Sequence, residues 1–106
     1  MTSDSVRRMP VVPREYYGFR TQVGGVLTPF IARVELRDEG GTSWGHWFSK
    51  GNANGSFHAV PPVAALKRID DAAGHNAINL IAAGMDLPAE LVAELPELKG
   101  GGWVVA

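Results

Sequence analysis

Trp44-Gly45-His46-Trp47-Phe48-Ser49-Lys50-Gly51-Asn52-Ala53-Asn54-Gly55-Ser56-Phe57-His58 is the stretch whose reading decides the fold. Aromatic residues flank a run of Lys50, Gly51, Asn52, Ala53, Asn54 and Gly55. That run supplies the positive φ angles a chain reversal needs, so the stretch predicts a β-hairpin. Two registers are open: Asn54-Gly55 forms a tight turn with Ala53 opposite Ser56, or the whole Gly/Asn run loops out with Ser49 opposite Ser56. Strand side chains alternate with a period of two, and both registers therefore give the same faces. Trp44, His46, Phe48, Phe57 and Ala59 share one side, which is the more apolar and is expected to face the core. Gly45, Trp47, Ser49, His58 and Val60 share the other.

Upstream, Tyr16 to Val23 reads as a strand with Tyr17 and Phe19 on one side, closed by the two-residue turn Gly24-Gly25. Pro29 donates no ladder hydrogen bond and limits how early the next strand can pair on both sides. From Phe30 the alternation is clear, with Phe30, Ala32, Val34 and Leu36 inward and Ile31, Arg33, Glu35 and Arg37 outward. Asp38-Glu39-Gly40-Gly41 turns the chain into Trp44. An odd number of loop residues would put Leu36 and Val34 on the side of Trp44 and Phe48, an even number on the side of Trp47. The odd loop gathers the larger apolar set and is the expected one.

Downstream, Pro61-Pro62 ends the fourth strand. Val63, Leu66, Ile69 and Ala73 follow at helical spacing, with Gly74 as the expected C-terminal cap. A second helix is expected over Asn76–Ala83, stopped by Gly84. A third is expected from Asp86-Leu87-Pro88, with Leu87, Leu91, Leu95 and Leu98 as its apolar stripe and Pro96 ending or kinking it. At the other end, residues 1–15 show no periodicity, and Pro10 and Pro13 favour an extended arm. The expected architecture is α+β: an extended arm (1–15), then a single domain (16–106) made of an antiparallel meander of about four strands (16–60) and two or three short helices (62–98).

Composition narrows the function classes. The chain of 106 residues has no cysteine, which excludes disulfides and thiolate metal sites. No stretch approaches the roughly 20 apolar residues of a membrane span, and no apolar run follows Arg7 and Arg8 as in a secretion signal. A cytoplasmic protein, or part of a cytoplasmically assembled particle, is expected. The formal net charge of −1 argues against general phosphate-backbone binding, although residues 1–60 carry a net +2 and the remainder −3. Arginine outnumbers lysine seven to three, and Ala, Gly, Val and Pro are plentiful, as in products of GC-rich genomes.

No catalytic, metal or cofactor signature emerges. His46 and His58 fall on opposite faces in either register, leaving only His75 and distant carboxylates as metal ligands, and no cofactor is expected. The Lys50–Ser56 loop lacks the Gly-Lys-Ser/Thr ending of a phosphate cradle and leads into a strand, so it reads as a turn. No nucleophile elbow or spaced acid pair is present. The leading expectation is a non-catalytic interaction protein, a small subunit or modulator docking on a larger assembly. A virion component or host-protein inhibitor of a phage or mobile element would suit its size and composition. The residues expected to meet a protein partner are Arg33, Trp47, Lys50, His58, Arg7, Arg8 and Trp103, because tryptophan and arginine are the usual interface anchors. The first rival is a nucleic-acid-binding module in which Trp47, His58, Arg33 and Lys50 form one aromatic and basic face, against burial as the commoner fate of tryptophan. The second rival is a small enzyme with His58 or His75 as general base.

Overall fold

The computed structural model describes residues 11–37, 43–51, 55–59 and 66–98. Five strands, β1 (Val11–Val23), β2 (Val26–Arg37), β3 (Ser43–Phe48), β4 (Gly55–Ala59) and β5 (Lys67–Ile69), are followed by helices α1 (Asp71–Ala82) and α2 (Ala89–Glu94). The strands form one sheet in the order β4-β3-β2-β1-β5, every pairing antiparallel. The architecture is the α+β arrangement expected, a four-stranded meander followed by helices, with one short strand added. Strand β1 starts at Val11, inside the segment expected as an arm; residues 1–10 lie outside the described residues.

The long β1–β2 hairpin is built as the sequence predicts. Gly24 and Gly25 take φ angles of +58° and +82°, and Val23 pairs with Val26. Positive φ at both turn positions matches the right-handed twist of the flanking strands. Pro29 pairs only with Arg20, and the β2–β3 ladder begins at Ile31 opposite Phe48, so the missing proline N–H falls where no third strand needs it.

Two apolar clusters sandwich the sheet. On one side Phe19, Phe30, Ala32, Val34 and Leu66 are buried, with Tyr17, Val23, Trp47 and Leu98 packed against them. On the other, Tyr16, Ile31, Ile69, Ala77, Ile81 and Leu95 are buried beneath the helices, with Phe48, Ile78, Leu87 and Leu91 around them. Ile31, expected to point outward, is fully buried because α1 covers that part of the sheet. We refer to these as the Phe19 face and the helix face.

The faces of β3 differ from expectation, for a local reason. Leu36 pairs with Trp44 and Arg37 with Ser43, an odd spacing as anticipated, but the register shifts between Val34 and Leu36. Glu35 is the extra residue of a bulge, and beyond it parity reverses. Trp47 therefore pairs with Ala32 and joins the Phe19 face, while His46 pairs with Arg33 and Phe48 with Ile31 on the helix face. The β3–β4 register pairs Trp47 with Gly55, His46 with Ser56 and Trp44 with His58. Both expected registers differ from it by an odd number. Ladder position 58 consequently has the parity of position 46, and the opposite-face argument against shared ligation by His46 and His58 does not hold.

Of the segment expected as the first helix, Pro62 to Ala65 lie outside the described residues, and the rest is a strand and then a helix start. Leu66 and Ile69 stand at helical spacing, but the chain there is extended, so Leu66 joins the cluster on the Phe19 face and Ile69 the one on the helix face. Asp70 begins α1 by accepting a hydrogen bond from the Ala73 amide at 3.3 Å, and Asp71 lies favourably in the first turn. Gly74, expected as a cap, is inside α1 and buried against the Tyr16 ring. Gly84 does terminate the helix. At φ +72° it donates to Ile81 O, and Met85 N donates to Leu80 O, a Schellman ending. Asp70→Ala is expected to lower stability by about 1 kcal/mol, read from the shift in the urea unfolding midpoint; no shift would show that the cap adds nothing in this context.

The expected leucine stripe is broken at Pro96. Helix α2 ends at Glu94, Leu95 is extended and almost wholly buried on the helix face, and Leu98 reaches the Phe19 face. Residues 96–98 run along β1: Arg20 N donates to Pro96 O and Leu98 N to Arg20 O, both at 2.7 Å. The Arg20 side chain donates through Nε to Leu95 O, and Thr21 Oγ1 donates to Leu98 O. Strand β5 covers Tyr16–Gly18 on the same edge of β1. Two separate pieces of chain thus close one strand edge, at Gly18 so tightly that a Cβ there would meet the ends of Leu95 and Ile69.

Candidate binding surfaces

Where the β1–β2 turn, the end of β3 and the α1–α2 connection meet, the chain forms a cleft of about 250 Å³. Val26, Leu27 and Pro29 line one wall, Ile81 and Leu87 another, and Ser49, Lys50 and Asp86 its polar rim. The α1 ending sets this geometry, since Gly84 turns the chain so that Asp86 and Leu87 face the start of β2. Lys50 Nζ stands 2.6 Å from Asp86 Oδ1 across the rim. Both side chains are largely in water, where such a pair contributes at most about 1 kcal/mol. Val26 in the wall is 64% exposed, and Met85, next to Asp86 in the chain, is 55% exposed.

A second, polar surface lies on the helix face beyond Phe48. Glu35 Oε2 is 2.5 Å from His46 Nδ1, and Glu35 Oε1 is 3.7 Å from both Arg14 Nε and Arg33 Nε. The Arg33 guanidinium lies over the Phe48 ring, 5.1 Å from its centroid. On the edge of the Phe19 face, Arg37 NH2 donates to Glu15 Oε1 at 2.6 Å, and Tyr17 donates to the same oxygen. This hydrogen bond with Glu15 is the main cause raising the Arg37 pKa above its ordinary value. Arg68 lies over the Tyr17 ring and donates to Tyr16 O, Ile69 O and Asp71.

The residues singled out in the sequence are dispersed. Arg33 is half-buried on the helix face, whereas Trp47 is half-buried on the opposite face with its ring edge-on to Phe30, centroids 5.3 Å apart. Lys50 is exposed at the cleft rim and held to Asp86. His58 is placed by its ladder position opposite Trp44, and Arg7, Arg8 and Trp103 lie outside the described residues. The structure therefore does not bring Arg33 and Trp47 together into one aromatic and basic face. His75 is exposed on α1. Among the described side chains, the histidine that meets a carboxylate is His46, which sequence reading had turned toward the core; the Glu35 bulge brings the two together. Their pair stands outside the residues that line the cleft.

Among the described residues, no group of three or more His, Cys, Asp or Glu side chains is arranged to hold a metal ion. No helix among them is long and apolar enough to cross a membrane. No protein-family model, curated protein or solved structure matches the chain significantly.

Proposed function

We propose that the chain is a non-catalytic interaction protein, a small subunit or modulator that docks on a larger protein in the cytoplasm or in an assembly formed there. The observation that carries this reading is the cleft, with Val26 in its wall. Its apolar walls and polar rim, with the exposed and adaptable Met85 next to Asp86 in the chain, are what protein-contact sites use to seat an apolar anchor of a partner. The Lys50–Asp86 pair gives such a contact an oriented polar edge. The packing of Trp47 on Phe30, on the face opposite Arg33, favours this reading over the nucleic-acid alternative.

The test is affinity capture with the full chain and with the Val26→Glu/Met85→Glu double variant side by side, circular dichroism establishing that both are folded. Species retained by the native chain should be lost from the double variant. Retention of the same set by both chains would rule the cleft out as the docking site.

A further inference from the structure

We propose that Arg14, Arg33 and His46, gathered around Glu35, form a binding site for carboxylate side chains of an acidic peptide segment on a partner protein. This goes beyond the cleft reading and is tested separately from it. Among the described residues, the cluster is short of negative charge. Two permanently charged guanidiniums and one imidazole, which adds a further charge when protonated, converge on a single carboxylate. At 3.7 Å neither arginine Nε is within hydrogen-bonding distance of Glu35. Arg33 Nε is also buried without a hydrogen-bond partner, a costly state for a charged donor. The planar fork of a guanidinium matches a carboxylate, so the solvent-facing Arg14 can take an incoming acid bidentately while Arg33 adds its charge to the cluster. Arg33 is held over Phe48, which lowers the entropic cost of ordering it on binding. Arg14 and His46, 60% and 50% exposed, leave the site open to solvent.

A short acidic peptide fits this site better than a nucleic acid. The excess is only one or two charges, enough to meet one or two carboxylates. A polyphosphate backbone needs many more neutralising contacts than this cluster offers.

The probe is a fluorescein-labelled hexaglutamate peptide, followed by anisotropy with the full chain at low ionic strength. Saturable binding is expected. Arg14→Gln should weaken it roughly threefold, in the range of one exposed ion pair, and Glu35→Gln, which removes the internal competitor, should strengthen it by a similar factor. Lys67→Gln alters a cation on β5 of comparable exposure, paired with Glu94 of α2, and should change nothing. Absence of binding, equal weakening by Lys67→Gln, no gain with Glu35→Gln, or tighter binding of a labelled oligothymidylate would each overturn the proposal. The Val26→Glu/Met85→Glu chain leaves all four residues of this site in place, so the two surfaces can fail independently.

Discussion

Phe30→Ala is expected to lower the free energy of unfolding by about 3–5 kcal/mol. Phe30 is 1% exposed and lies at the middle of the Phe19 face, stacked on Phe19 with ring centroids 5.1 Å apart and planes within 4°. Trp47 meets it edge-on from β3, so one side chain joins the aromatic packing of three adjacent strands. Truncation removes the ring from both contacts and leaves a cavity that paired strands cannot close, because the ladder fixes their separation near 4.8 Å. Small domains are stable by only about 5–15 kcal/mol, so the variant should be close to unfolding at room temperature. Urea denaturation measures this directly, with Phe30→Leu as a milder control costing less than half as much. A loss under about 1 kcal/mol would mean that this face is not a packed core.

Gly74→Ala is the second large effect, and its sign is the informative part. Alanine in place of a helix-interior glycine ordinarily stabilises by about 0.5–1 kcal/mol. Here a Cβ would stand within 3.0 Å of the Cβ, Cγ and Cδ1 of Tyr16, atoms next to the β1 backbone that cannot swing away like the end of a long side chain. Helix α1 would have to lift off the sheet, loosening Ala77 and Ile81 from Ile31 and Tyr16. A net loss of about 1–3 kcal/mol is expected, as in overpacked cores. Gly18→Ala should cost less, since the atoms it meets are the methyl ends of Leu95 and Ile69. Thermal unfolding of both variants checks the order. A Gly74→Ala protein that melts higher than the native chain would contradict the close approach of α1 to Tyr16.

The parts of the fold that were legible in the sequence are those set by local chemistry. Gly24-Gly25 dictated its turn, Phe30 to Val34 its alternation, and Gly84 the end of α1. What misled was periodicity that fits two answers. Leu66 and Ile69, three apart, satisfy one face of a helix equally well as the two faces of an extended segment lying between two cores. The Asp70 cap was the available signal for the true start of α1, since an aspartate before an alanine-rich run marks a helix beginning. Glu35 carries no sequence mark of a bulge, yet that one extra residue decides which face Trp47 and His46 occupy. Arg33 and Glu35 read as sharing one face, but for the same reason the arrival of His46 beside Glu35 could not be foreseen. The cleft was equally hidden, because its walls come from β2, the end of β3 and the α1–α2 connection, which only the tertiary fold assembles.

The closure of β1 by residues 67–69 and 96–98 has a consequence for biosynthesis. Arg20 and Thr21 find their edge partners more than seventy residues later, so the emerging meander must wait with part of that strand's amides and carbonyls bare until residue 98 has cleared the ribosome. During that interval the nascent chain presents a sticky border of the kind that recruits other strands. Its yield in a cell should therefore depend on translation speed and chaperone supply more than the equilibrium stability of the finished molecule would suggest.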